Sequence, residues 1–152
     1  MPFLMITRFN NKTWGEMIEY KKTNNITGSI YGVPRRVAPT IPLKDRLYIL
    51  EMNNDTNTIM GIGLVANFIK MNTHHAIYSD QNFNRFSYQG KYRVDRNDLK
   101  RAEEEVIEKM EEVVFKGKGH LKRGQGIQKI PYERYSKNDL VIFKQMFQDR
   151  LY

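Results

Sequence analysis

Residues 46–52 and 59–69 are two runs of β-favouring side chains, and the stretch between them carries Asn53, Asn54, Asp55 and Asn57. Asn and Asp tolerate tight backbone and hydrogen-bond to their own main chain, so the pattern predicts an antiparallel hairpin at the centre of the chain. A lone hairpin is marginal in water, so other elements must cover it. Residues 3–9 form a continuous run of apolar and β-favouring residues that predicts a buried strand. Residues 29–33, 76–79 and 86–94 predict further strands, with a tight turn or bulge at Gly90. Asn10, Asn11 and Thr13 offer capping side chains for a short helix over 14–22, which has Met17, Ile18 and Tyr20 to bury. A longer helix is predicted over 95–115, with Leu99, Ala102, Val106, Met110 and Val113 as its apolar face. Ser136 and Asp139 have capping-box spacing, opening a last helix with Leu140, Phe143, Met146, Phe147 and Leu151 as its core face. The expected fold is α+β, a small mixed β-barrel flanked by helices, forming a single domain over residues 1–152.

Charge narrows the class of partner. The chain has 152 residues, no cysteine and a net charge of +8. Residues 101–112 hold six Glu against Arg101 and Lys109, so the rest of the chain carries +12. Such an excess attracts polyanions, chiefly phosphate backbones and anionic lipid. The absence of cysteine excludes a disulfide scaffold and a thiolate metal site, and fits a reducing compartment. The N-terminal apolar run meets Arg8 too early for a signal peptide, and no run approaches the ~20 residues that span a bilayer. An intracellular protein of cytoplasm or nucleus, without a membrane partner, is expected.

Residues 116–129 read Lys-Gly-Lys-Gly-His-Leu-Lys-Arg-Gly-Gln-Gly-Ile-Gln-Lys, with no acid among them. Glycines let backbone N–H groups approach an anion, while Lys116, Lys118, His120, Lys122, Arg123 and Lys129 can neutralise phosphate. The spacing is not that of a Walker A loop. The alternative is a solvated loop whose glycines turn the chain. Gly61 and Gly63 lie two apart in a predicted strand and so share a face, which could admit a flat base or simply a close-packed neighbour. Trp14 follows Asn10, Asn11 and Thr13 at a strand end; Asn suits the reading of a base edge because one amide both donates and accepts. His74 and His75 are adjacent and would point to opposite faces of an extended chain, and His120 lies among cations, so no metal site is expected. No nucleophile–base set or other catalytic constellation is present, and no cofactor is implied.

With its elements in this order, the chain resembles the YTH and EVE branch of the PUA-like superfamily, over residues 3–130. Residues 3–11, Phe-Leu-Met-Ile-Thr-Arg-Phe-Asn-Asn, are similar to the family's first strand with its basic residue and following Asn. Residues 46–52 followed by Met-Gly-Ile-Gly-Leu-Val at 60–65 resemble the central hairpin. Residues 85–95 resemble the strand before the family's helix, and Leu-Lys-Arg-Gly-Gln-Gly-Ile at 121–127 resembles its basic, backbone-contacting turn. The resemblance implies a PUA-like barrel that binds single-stranded RNA or DNA and holds one base, modified in many members. Asn10, Asn11, Thr13, Trp14, Ile26, Gly61 and Tyr78 would form the base pocket, with Tyr78 or Phe83 as a second wall. Together with the shared face of the two glycines, the resemblance implies that this pocket lies where Asn10, Asn11 and Trp14 meet the strand carrying Gly61 and Gly63. Two departures stand out: Ile26 occupies the position of a cage Trp used by YTH readers, and the acid of the basic turn is absent.

The function expected from the sequence is therefore non-enzymatic binding of single-stranded nucleic acid, RNA before DNA, with one base held at the barrel end. The rival is a structural or adaptor protein, such as a virion component, whose acidic helix and exposed aromatics face protein partners. An Asn-rich, cysteine-free composition would suit a large DNA virus with an AT-rich genome.

Overall fold

A computed structural model of the chain describes residues 3–69 and 76–150. The elements run β1 (Phe3–Phe9), α1 (Asn11–Thr23), β2 (Ser29–Val33), β3 (Arg46–Asn53), β4 (Thr58–Ala66), β5 (Phe86–Gly90), β6 (Tyr92–Asp95), α2 (Arg101–Phe115), β7 (Gln128–Lys129) and α3 (Lys137–Arg150). Five strands form one sheet in the order β6-β4-β3-β1-β7, and β2 pairs with β5 in a second. The fold is α+β, but the ladders make two sheets; among the described residues none closes them into the expected barrel.

The central strand explains the layering. β3 is the predicted first arm of the hairpin, antiparallel to β4 and also parallel to β1. Side chains alternate across a strand. On one face, Tyr48, Leu50 and Met52 meet Val106, Ile107 and Met110 of α2 and Phe143, Met146 and Phe147 of α3. On the other, Leu47 and Ile49 meet Tyr31, Val33 and Tyr88 of the small sheet and Met17 of α1. A strand buried on both faces reads as a continuous apolar stretch rather than an alternation, as β1 does over Phe3–Ile6 and β3 over Leu47–Leu50.

Three local expectations need correction. The single strand over 86–94 is two strands: β5 pairs with β2 and β6 with β4. The chain changes sheet around Gly90, where a Cβ would run into the Leu64 carbonyl oxygen. Residues 76–79 form no strand. Side chains serve their amides instead: Ile77 N and Tyr78 N donate to the buried Asn84 Oδ1 (3.1 and 2.9 Å), Asn84 Nδ2 donates back to Tyr78 O (2.8 Å), and Ser79 N donates to Glu16 (2.9 Å).

The buried face of α2 is rotated from the one expected. Glu103, Val106, Ile107, Met110 and Val114 are buried, while Ala102 is exposed. Glu103 can occupy that stripe because Arg150 Nη1 and Nη2 donate to it at 2.8 and 2.7 Å and Lys100 N at 2.8 Å. The Arg150 hydrogen bonds hold its carboxyl below the usual range, against the opposing effect of burial. The last helix starts as expected, with Ser136 N donating to Asp139 Oδ2 (2.8 Å) and Asp139 N to Ser136 Oγ (3.1 Å). Leu151 and the pair His74 and His75 lie outside the described residues.

Candidate functional site

β1 ends at Phe9, and α1 begins two residues on, at Asn11. Asn10 is the N-cap: its Oδ1 accepts from Thr13 N at 2.8 Å, and Thr13 Oγ1 accepts from Asn10 N at 3.0 Å. Such a cap contributes about 1 kcal/mol. It also fixes both side chains at one wall of a cavity of about 290 Å³, near the lower end of the ~300–1,000 Å³ of small-molecule sites. The end of β2, the segment from Tyr78 to Phe83 and the turn at Gln125 and Gly126 supply the other walls.

The lining has a distinct chemistry. Phe9, Tyr31, Tyr78 and Phe83 present aromatic rings, and Asn10, Asn54 and Gln125 present amides. Arg8 is its charged member, and no carboxylate lines it. Tyr78 and Phe83 meet edge to face, with centroids 6.1 Å apart and planes at 84°. Burial pushes the Tyr78 phenol well up, and burial with the adjoining Glu51 charge does the same to Tyr31. Both rings therefore stay neutral at physiological pH. With Asn10 Oδ1 committed to the cap, the Nδ2 donor has no partner among the described residues.

The basic loop reaches this cavity by its second half. Lys122 O accepts from Arg8 Nη1 at 3.3 Å and from Asn54 Nδ2 at 2.9 Å, so two cavity residues anchor the loop through its backbone. Gly126, at φ +75°, packs beside Val33 and Arg35; the left-handed backbone there favours glycine. Lys122 Nζ bonds Asn57 Oδ1 at 2.7 Å, and Arg123 is exposed with no ion pair among the described residues. The first half of the loop points elsewhere. Lys116 pairs with Glu112 at 2.7 Å, Lys118 is exposed, and His120 Nδ1 accepts from Lys122 N at 3.3 Å. Lys129 lies in β7 opposite Met5, with its Nζ 4.0 Å from the Tyr132 ring centroid, and is not part of the cavity.

Of the expected pocket residues, Asn10, Thr13 and Tyr78 come together, with Phe83. The other four stand apart from the lining. Asn11 ties α1 to the β3–β4 turn, accepting from Asn53 Nδ2 (3.0 Å) and donating its N–H to Asp55 (2.8 Å). Trp14 packs edge-on behind Phe9 at 5.1 Å, and Ile26 packs into the core below α1. Gly61 and Gly63 do share a face, but it is filled. A Cβ at Gly61 would strike Arg93 and Glu51, and one at Gly63 would strike Tyr31 and Ser29.

What fills that face is a buried polar network. Glu51 accepts from Tyr31 Oη at 2.6 Å and from Arg93 Nη2 at 2.6 Å, with side-chain exposures of 1% for Glu51 and 10% for Arg93. Since Tyr31 also lines the cavity, the network fixes one of its walls. Sequence reasoning missed Arg8, Asn54 and Gln125. In sequence Asn54 is indistinguishable from its turn-forming neighbours, and Gln125 is an uncharged residue within a turn marked by its cations and glycines.

Among the described residues no group of three or more His, Asp or Glu side chains could hold a metal ion, and no helix is long and apolar enough to cross a membrane. Comparison with protein-family models, curated proteins and solved structures finds no match to this chain.

Proposed function

We propose that this protein binds single-stranded nucleic acid, RNA in preference to DNA, holding one base in the cavity and the adjoining phosphates on the turn at Lys122 and Arg123. The observation that carries this reading is the lining itself: aromatic rings and amides, no carboxylate, and a wall made by the basic glycine turn. Rings offer a stacking surface to any base, amides read its edge, and cations beside the mouth neutralise its phosphate. The +12 outside the acidic helix adds long-range attraction. The same reading takes the two sheets as an opened form of a PUA-like barrel.

The test is a titration of the protein with a short single-stranded oligonucleotide at several salt concentrations. Affinity should fall steeply with salt, with a log–log slope of about −0.7 per phosphate neutralised. Replacing Lys122 and Arg123 together with alanine should weaken binding to all sequences alike by about 1–3 kcal/mol and flatten the slope. Stability should hardly change, because the loop is anchored through the Lys122 carbonyl, which the substitution leaves in place. Unchanged affinity and slope in the folded variant would remove the turn from the binding surface.

A further inference from the structure

Beside the cavity lies a cluster of cations that the proposed site has not used. Val33 walls the cavity, and its cross-strand partner in β5 is Phe86. The half-buried Phe86 ring carries two guanidinium groups, with Arg36 Cζ 5.0 Å and Arg85 Cζ 5.6 Å from its centroid. Arg35 adjoins them, its carbonyl and Cβ against Gly126 of the cavity wall. All three arginines are exposed, and among the described residues no carboxylate pairs with any of them.

Cations gathered without a counter-charge repel one another, so the cluster favours an anion supplied from outside. The ring contact narrows the kind of anion. A guanidinium held against an aromatic face has its position restricted, yet its N–H donors stay available, and their planar fork matches phosphate oxygens. Ring-held arginines therefore form a prearranged phosphate site, with less side-chain freedom to lose on binding than solvated lysines have.

We propose that Arg36, Phe86 and Arg85 form a platform for the nucleotide next to the one in the cavity, with the two guanidinium groups gripping its phosphate. This rests on the cavity reading and extends it: the protein would engage a strand rather than a lone nucleotide. The strand would run from the cavity across the β2–β5 pair.

The experiment titrates wild type, Arg36→Ala/Arg85→Ala and a charge-matched control, Lys137→Ala/Lys144→Ala, with a labelled single strand of about nine nucleotides, within the usual site size. The arginine pair should lose about tenfold in affinity and about 0.7 from the magnitude of the salt slope, the value for the one phosphate they share. The control, with its lysines exposed on α3, should stay within about twofold of wild type. Arg36→Lys/Arg85→Lys keeps the charge without the fork and should recover only part of the loss. Melting curves check folding, and Arg36→Gln/Arg85→Gln carries the test if the alanine pair does not fold. Wild type that binds no strand overturns the cavity reading and the platform together. Wild type that binds while the folded arginine variant equals it overturns the platform alone. A control that loses as much as the arginine pair does the same, because net charge would then suffice.

Discussion

Glu51→Ala should destabilise the fold by about 3–5 kcal/mol, the cost of stranding a buried charge. Arg93 is nearly buried and reaches Glu51 through Nε and Nη2, and Tyr31 Oη donates to the same carboxylate. Burial alone would lower the Arg93 pKa; the hydrogen bonds and charge of Glu51 outweigh it and raise it. Without Glu51 the guanidinium keeps Asp95, at 3.0 Å and more exposed, and the Tyr31 hydroxyl loses its acceptor. Urea unfolding measures the effect. Removing both charges, as Glu51→Leu/Arg93→Met, should cost less than Glu51→Ala, because two apolar groups leave nothing uncompensated. A loss under about 1 kcal/mol for Glu51→Ala would mean that water reaches the network.

The second large effect concerns binding. Phe83→Ala should weaken single-stranded nucleic acid by about 1–3 kcal/mol, the usual worth of one base stacked on an aromatic side chain. Phe83 is the informative choice among the rings. It is only partly buried, whereas Tyr31 and Tyr78 are core residues whose loss would disturb the fold as well. Its edge-to-face contact with Tyr78 is worth about 0.5–1.5 kcal/mol, so the melting temperature should fall modestly while affinity falls further. The two readouts separate the roles: equal affinity with lowered stability would make Phe83 a packing residue alone.

Some of this was legible in the sequence, for identifiable reasons. β1, β3 and β4 are rich in apolar and β-favouring residues, with turn residues between the last two, and α3 has a capping box and a periodic face. In each, local propensity and tertiary burial agree. The phase of α2 was not legible. Its buried stripe includes Glu103, and that carboxylate is acceptable in a core chiefly through Arg150, 47 residues away, with the Lys100 amide as a second donor. Residues 76–79 have strand composition, yet Asn84 satisfies the amides of Ile77 and Tyr78 from a 3-10 turn, which no periodicity reveals.

The candidate site shows the same division. Asn10 and Thr13 were identifiable because a cap at a strand end is a local pattern, whereas Tyr78 was identifiable only through the family resemblance. Gly61 and Gly63 were correctly placed on one face. Its occupant is a tyrosine from β2 and an arginine from β6, contacts that sequence spacing does not encode. The half of the basic loop that reaches the cavity was fixed by Arg8 and Asn54 holding Lys122 O, again a long-range matter.

The central claim is that a single strand binds at this cavity, and amide chemical-shift mapping tests it most directly. Titrating the labelled protein with a short single-stranded RNA should shift the amides of Asn10, Thr13, Tyr78, Phe83, Gln125 and Gly126, with weaker changes at Lys122 and Arg123. Shifts that are absent at low salt, or that gather on the exposed face of α2 and leave the cavity residues unmoved, would contradict it.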